Sequence, residues 1–584
     1  MVQKYVKSNK LEINLVKIAK IAIIGFMSFS VLGHFVPFFE GSNSYFYGMA
    51  SILFIEEGIT KSNTFLEKYE TNEFLVENWL RTDQNEMIPM SGNGLIALGG
   101  IFYLFGGFFG LYYLSPILFI ILLIISERTA TSLFGKYAGL ITLILLSTSN
   151  LLFRNSIQLH TETLYCLLFV LGTYFLIKFG RTNQSYFILI ASTMFAFSST
   201  VRLSGVISFP MELFILTIFI VNSYLKTKKI KNVKNQQNKK WIFTSLSLFV
   251  IPWIIFFIVF AYGNIITTGE PFVIYGTLNE SYTEFFESSP SSLVSFEDTD
   301  FDNVIQYSKY LLPYIFPGAF NSIDNNFENI LGNHWIGFLP LIILSLILIF
   351  SYKFGNKKLE VFVIIVFIFS TVWVYSAITS EELGDLGVPG RYMLPAFVLS
   401  SILFGYAIEQ IFTTLKKNNE LKSKVFQGSL VFVLFIFVII SFNFTPSVTM
   451  FEQDNYFKNP FNYEREFPLK DDSVKQNSIV LAPVGVRAQE YDLAAFRLIT
   501  TNESQTNSIE LLKNIIKNGS DVYTFKVPFS ESEKNIISNL VEKYEFILKE
   551  HSSVFCKVEL TTNKESTSDE NCVNNKPIRN INQK

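Results

Sequence analysis

Residues 204–224 read SGVISFPMELFILTIFIVNSY, residues 226–240 read KTKKIKNVKNQQNKK, and residues 241–262 read WIFTSLSLFVIPWIIFFIVFAY. Each flanking run is long enough and apolar enough to cross a hydrocarbon core, which takes about 20 residues. The segment between them holds seven lysines and no acid. Two membrane spans joined by a basic loop are the simplest reading, and the basic side of a membrane protein is the cytoplasmic one.

On both sides of this pair the same pattern repeats. Apolar runs fall near 17–37, 109–126, 137–153, 160–179, 185–201, 204–224, 241–262, 335–352, 359–378, 393–414 and 425–444. These predict a polytopic bundle of about 11 spans. The glycine-rich stretch 92–106 is apolar but short, and reads as a helix in or dipping into the interface. Lys4, Lys7 and Lys10 precede the first span. Arg128 with Lys136, Lys178 with Arg181, Lys353 with Lys357 and Lys358, and Lys416, Lys417, Lys422 and Lys424 mark further loops. With these spans all of them fall on one side, so the N-terminus is expected in the cytoplasm. The opposite side is acidic: residues 263–333 carry ten acids and one base, Lys309.

Composition agrees. The chain of 584 residues is 49% hydrophobic and 16% charged, against about a quarter charged in soluble proteins. Its 62 phenylalanines suit a lipid-facing surface better than a wet one. A net charge of −2 gives no case for nucleic acid binding. The long first apolar run, with no cleavage site and further spans behind it, is not a cleavable signal peptide.

The expected organisation is a membrane domain over 1–445, with a first outer loop at 38–91 and a large outer loop at 263–333. A small extracytoplasmic α/β domain follows over 446–560, and then a disordered polar tail over 561–584. In the first outer loop, 45–57 and 64–80 are patterned as short amphipathic helices. In the C-terminal domain, 478–483, 521–527, 545–549 and 553–559 read as strands and 506–517 and 530–542 as helices, a partly parallel sheet. Cys556 and Cys572 could pair in an oxidising compartment, or Cys572 could belong to the structureless tail. Asn279, Asn443, Asn502 and Asn518 head N-x-S/T triplets on the outer side.

Ionisable groups near spans are costly and are functional candidates for that reason. On the outer side these are Glu40, then Arg154, His160 and Glu162, then Arg202 and Glu212, then Arg391. All but Glu212 would lie at one depth, near the outer interface. Acids and arginines gathered there point to a site for an anionic, lipid-linked substrate. Snorkelling arginines are the plain alternative, and four scattered histidines make no metal cluster.

These residues sit within a pattern that resembles the GT-C membrane glycosyltransferases, above all the branch of protein O-mannosyltransferases and the aminoarabinose transferase of lipid A. The likeness runs over most of 15–444. Its parts are Tyr45, Tyr47 and Met49–Ala50 after the first span; Ile88–Pro89 through Phe105–Gly106; Arg128 to Lys136, ending LFGK; Thr161–Glu162; and Arg391-Tyr392-Met393-Leu394-Pro395. The resemblance implies transfer of a sugar from a polyprenyl- or dolichyl-phosphate donor to a protein or lipid acceptor on the non-cytoplasmic face. No cofactor is expected, and the scarcity of ligand clusters argues against a tightly held metal while leaving a divalent cation open. The resemblance also implies catalytic roles around Glu40, Asn43 and Glu162. Donor phosphate and sugar would be held by Arg391, Tyr392, Arg202, Arg154, His160 and Tyr47. Asn43 departs from the pattern, since the family places an acid there; an amide cannot act as general base, and Glu40 would take that role. A lipid-linked-sugar transporter and a catalytically silent relative are the competing readings.

Overall fold

The computed structural model describes residues 2–33, 42–56, 61–62, 79–81, 86–89, 93–202, 205–206, 208–229, 235–268, 357–378, 394–418, 474, 478–481, 494–496, 504–526, 537–538, 540–541, 546–552, 554–560 and 568–573. Two compact units emerge: Met1–Phe38 with Ser91–Lys458, and Phe39–Met90 with Asn459–Lys584.

The first unit is built from helices α1 (Val2–Gly33), α3 (Asn93–Leu133), α4 (Lys136–Ser147), α5 (Asn150–Ser156), α6 (Thr161–Thr182), α7 (Tyr186–Val201), α8 (Ser208–Lys229), α9 (Asn235–Thr268), α10 (Lys358–Ile378) and α11 (Leu394–Asn418). Five of the described helices are long and apolar enough to cross a membrane, and α4, α7 and part of α8 are shorter apolar helices. The architecture is that of a multi-pass membrane protein. The spans expected at 335–352 and 425–444 lie outside the described residues.

Two spans differ in form from the simple expectation. Helix α3 has 41 residues. Unbroken, it would be about 60 Å long, twice the thickness of a hydrocarbon core. It breaks at Gly107, whose φ of 56° and ψ of −143° are non-helical. The break separates the segment expected at the interface from the expected span. The third span is also interrupted. Helix α4 ends at Ser147, and Ser149 starts α5 by accepting the Leu152 amide at 3.3 Å. The polar run Ser147-Thr148-Ser149-Asn150 is capping chemistry inside an apolar stretch.

Helices pack through small residues and stacked rings. A Cβ on Gly405 of α11 would lie 2.5 Å from the Ala138 carbonyl oxygen of α4, so only glycine allows that approach. Beside it Phe134 stacks on Tyr406 and Tyr137 on Phe412, each pair with centroids 4.4 Å apart. Phe169 of α6, Phe195 of α7 and Phe367 of α10 form one cluster, with centroids 5.0–5.6 Å apart. All three are fully buried. The phenylalanines therefore divide between the bundle interior and an exposed set that includes Phe105, Phe109 and Phe243.

One end of the bundle is tied by charge. Lys20 of α1 bonds to Glu127, and donates to Thr131 at 2.9 Å. Arg181 bonds to Glu360 of α10 at 2.6 Å and to the Leu133 carbonyl at 3.1 Å. Glu409 of α11 accepts the amides of Tyr137 and Ala138 at 2.8 and 3.1 Å. It thereby caps the start of α4, which its own N-cap residue, Gly135, cannot do. Gly135 itself has φ 134°. The LFGK element is thus the hub of this end.

The second unit begins with α2 (Ser42–Glu56) and a small antiparallel sheet of β1 (Lys61–Ser62), β2 (Trp79–Arg81) and β3 (Glu86–Pro89), in the order β1-β3-β2. Residues 79–80, expected at the end of a helix, pair with Ile88 and Pro89 instead. Most of that expected helix lies outside the described residues.

The C-terminal part is a five-stranded sheet in the order β5-β4-β6-β8-β7, with β4 (Ile479–Leu481), β5 (Ala494–Phe496), β6 (Val522–Phe525), β7 (Phe546–Glu550) and β8 (Phe555–Leu560). The pairs β5–β4 and β4–β6 are parallel; β6–β8 and β8–β7 are antiparallel. Helix α12 (Ser504–Lys517) presents buried Ile509, Leu512 and Ile515 at helical spacing. Val480, Tyr523, Phe525 and Phe555 form a buried core cluster. The short helix α13 (Glu570–Val573) lies within the stretch read as tail, and Cys572 is bonded to Cys556.

Candidate functional site

Helices α6 and α7 form an antiparallel hairpin that turns through Asn183, whose φ of 55° caps α6 in the left-handed conformation. The hairpin brings the start of α6 back beside the end of α7. Glu162 lies in the first turn of α6 and Arg202 is the C-cap of α7. Each charge complements the dipole of its own helix end. Arg202 Nη1 donates to Glu162 Oε1 at 2.5 Å and reaches Thr161 Oγ1 at 3.5 Å. Thr161 donates to Glu162 Oε2 at 3.3 Å, so both carboxylate oxygens are engaged. The Glu162 side chain is 3% exposed and that of Arg202 15%. The carboxylate is enclosed and the guanidinium reaches toward the surface.

Neighbouring elements fix this pair. Gly205 donates its amide to the Arg202 carbonyl at 2.8 Å, folding the chain back on α7. A Cβ there would come within 2.9 Å of the Ser198 carbonyl carbon. The start of α3 also adjoins this end, since a Cβ on Gly94 would lie 2.4 Å from Thr200 Oγ1. Thr163 donates to the Asn155 carbonyl at 3.2 Å and fastens α5 to α6. His160, the N-cap of α6, is half-buried with Nε2 2.8 Å from Gln158 Oε1.

Of the residues singled out from the sequence, the structure joins Glu162 and Arg202 directly and places His160 next in the chain. Arg154 lies in α5 and Asn43 in the first turn of α2. Tyr47 is a buried residue of α2 whose carbonyl accepts Ser51 Oγ at 2.6 Å. Glu40, Arg391 and Tyr392 lie outside the described residues. The sequence reading did not find Gln158 or Gly94. An amide two residues before His160 and an Asn-Gly pair opening an apolar run were the available signals.

Glu212 belongs to a different constellation. It is fully buried in α8, accepting from Ser192 Oγ of α7 at 2.6 Å and from Trp253 Nε1 of α9 at 3.0 Å. This is polar cross-linking of three helices. Glu212→Ala is expected to destabilise the bundle by about 1–3 kcal/mol, because the Trp253 donor is left unpaired. Glu212→Gln, which keeps an acceptor, should stay within about 1 kcal/mol of wild type. Thermal unfolding in lipid nanodiscs measures both, and equal melting for Ala and Gln would exclude this role. Among the described residues no group of three or more His, Cys, Asp or Glu is placed to hold a metal.

Neither a family model nor a curated protein matches the sequence. Solved structures do match the fold. ArnT from Cupriavidus metallidurans bound to undecaprenyl phosphate aligns with a TM-score of 0.50 at 10% identity, over 93% of this chain and 97% of that one. The Archaeoglobus fulgidus oligosaccharyltransferase in complex with Zn and sulfate aligns with a TM-score of 0.50 at 10% identity, over 92% of this chain and 72% of that one. Both are GT-C glycosyltransferases. The chain has the GT-C fold. The likeness to these GT-C proteins is one of architecture, and it carries no residue roles with it. Within this GT-C bundle, the Glu162–Arg202 pair is a charged centre built by the chain's own hairpin.

Proposed function

We propose that the chain is a membrane glycosyltransferase that moves a sugar from a polyprenyl- or dolichyl-phosphate donor to a protein or lipid acceptor on the face opposite the cytoplasm. The observation that carries this reading is the buried Glu162 holding the Arg202 guanidinium at the mouth of the α6–α7 hairpin of a GT-C bundle. An arginine fixed by a carboxylate is preorganised for a phosphate oxygen. The GT-C neighbour ArnT carries undecaprenyl phosphate, a ligand of that chemistry. The lysine pattern puts this mouth at the non-cytoplasmic face, the N-terminus in the cytoplasm and the C-terminal domain outside.

In the proposed reaction the bond between the anomeric carbon and the donor phosphate oxygen breaks as the acceptor heteroatom attacks from the opposite side. A carboxylate takes the acceptor proton. Glu40 is the residue for that task, because Asn43 carries no basic oxygen. The leaving lipid phosphate gains charge, which Arg202 and Arg391 stabilise. Glu162, with both oxygens engaged, serves as the positioning group for Arg202 and not as the base.

The test is sugar release from a panel of radiolabelled polyprenyl-phosphate sugars by purified protein in lipid. Wild type should turn over one donor, and Glu40→Gln and Arg391→Ala should lose that turnover while remaining folded. Failure of the wild type with every donor would favour the second reading, a GT-C relative that binds lipid-linked sugar without transferring it, for which Asn43 is the specific argument.

A further inference from the structure

Strand β7 is the edge of the five-stranded sheet, and an edge strand presents a row of backbone groups to any other strand. Here those groups are taken by the chain's own segment 568–573. The Asp569 amide donates to the Leu548 carbonyl at 2.9 Å, and the Leu548 amide donates to Ser568 Oγ at 3.1 Å. The Glu550 amide donates to Asp569 Oδ2 at 2.8 Å, and Asn571 Nδ2 donates to Glu550 Oε2 at 3.0 Å. Leu548 and Glu550 also pair with Val558 and Cys556 of β8 across the ladder. The segment therefore mimics an additional strand on the open side.

What holds the segment is uneven. Asp569 and Asn571 are exposed, and Cys572 is the residue that is buried, at 3% exposure, where it bonds to Cys556. Four hydrogen bonds, the two at Glu550 exposed to water, recover little against the entropy of ordering six residues. The covalent link removes part of that entropy in advance.

We propose that the Cys556–Cys572 disulfide is an oxidation-set latch, which locks residues 568–573 over the β7 edge once the two thiols exchange with a disulfide-bearing oxidant of an oxidising compartment, which takes up their two hydrogens and leaves as its dithiol. In the reduced chain both sulfurs are thiols, the segment detaches and β7 stands as an open edge. Reopening consumes one dithiol reductant, which becomes a disulfide as Cys556 and Cys572 gain two hydrogens. The inference is independent of the glycosyl transfer proposed above and uses the topology read from the lysines.

Hydrogen exchange on the full chain in nanodiscs tests it, with thiol alkylation of native membranes beside it. Without reductant, Cys556 and Cys572 should resist alkylation after denaturation, and both should react after reduction. Free alkylation without reductant would show that the latch does not close in the cell. In Cys572→Ser, the Leu548 and Glu550 amides should lose protection while those of β6 keep it. Retained protection at both amides would show that hydrogen bonds alone hold the segment; loss through β6 would show that the bond is needed for the domain fold instead. Asp569→Ala, with the disulfide intact, should release the Glu550 amide and leave Leu548 protected. Release of both would locate the anchor at Asp569, against the latch.

Discussion

Arg202→Ala is expected to lower kcat for sugar transfer about 100- to 1,000-fold, the effect of removing one preorganised donor from developing negative charge. The side chain sits 2.5 Å from Glu162 at a helix end, so its geometry is set before any ligand arrives. Glu162→Ala should also lose turnover, but for a different reason. It strands a partly buried guanidinium, and breaking a buried pair from one side costs about 3–5 kcal/mol. The double variant Glu162→Ala/Arg202→Ala separates the two effects. Removing both partners should restore most of the lost melting temperature and none of the lost turnover. A folded Arg202→Ala protein with full turnover would eliminate the phosphate role and leave the pair a structural tie between α6 and α7.

Glu409→Leu should be the most damaging change at the opposite end of the bundle. It orphans the Tyr137 and Ala138 amides at the start of α4. The Ala138 amide is buried and the Tyr137 amide partly so, and leaving the buried one unpaired costs about 1–3 kcal/mol, with a smaller loss from the other. Glu409→Gln keeps an acceptor oxygen and should recover part of it. Gly135→Ala attacks the same turn from the other side. Its φ of 134° is strained for any side chain, and the new Cβ would lie 2.5 Å from Glu409 Cδ. Apparent melting temperatures in detergent rank the three variants against wild type. An unchanged value for Glu409→Leu would mean that other groups satisfy these amides.

The contrast between the two ends explains what the sequence could and could not reveal. The start of α6 was readable to within one residue, because Thr161–Glu162 follows a polar turn and precedes a long apolar run. The depth shared by Glu162 and Arg202 was also readable, since both flank spans. Their bond was not: 40 positions separate them, and only the hairpin joining α6 to α7 brings them together. Glu212 was set apart in depth from the other candidates; its donors, Ser192 and Trp253, come from two other helices and leave no local trace. The break before α5 was marked by capping residues, but an apolar window averages over them. The C-terminal strands showed as short β-branched and aromatic runs, whereas β5 (AAF) has too little β-character to stand out. The polar composition of the last residues favoured a loose tail, and composition alone does not register that Ser568 and Asp569 supply what an edge strand lacks.

The interruption at Gly107 has a consequence for how this chain tolerates change in length. Inserting one residue into a continuous helix turns everything beyond it by about 100°. At position 118, inside the second leg of α3, such an insertion would swing buried Phe119, Leu122 and Leu123 out of the bundle and carry Glu127 away from Lys20. At Gly107 the helical phase is already reset and the flanking Phe105 and Phe109 are exposed, so an added residue there is taken up in torsions, at the expense of the close approach of Gly110 to the Phe102 carbonyl and not of the whole second leg. Gly94, seated on α7, and Glu127, paired to α1, therefore answer to separate neighbours. A change in length is therefore expected to cost less at the junction of the two legs than inside either of them.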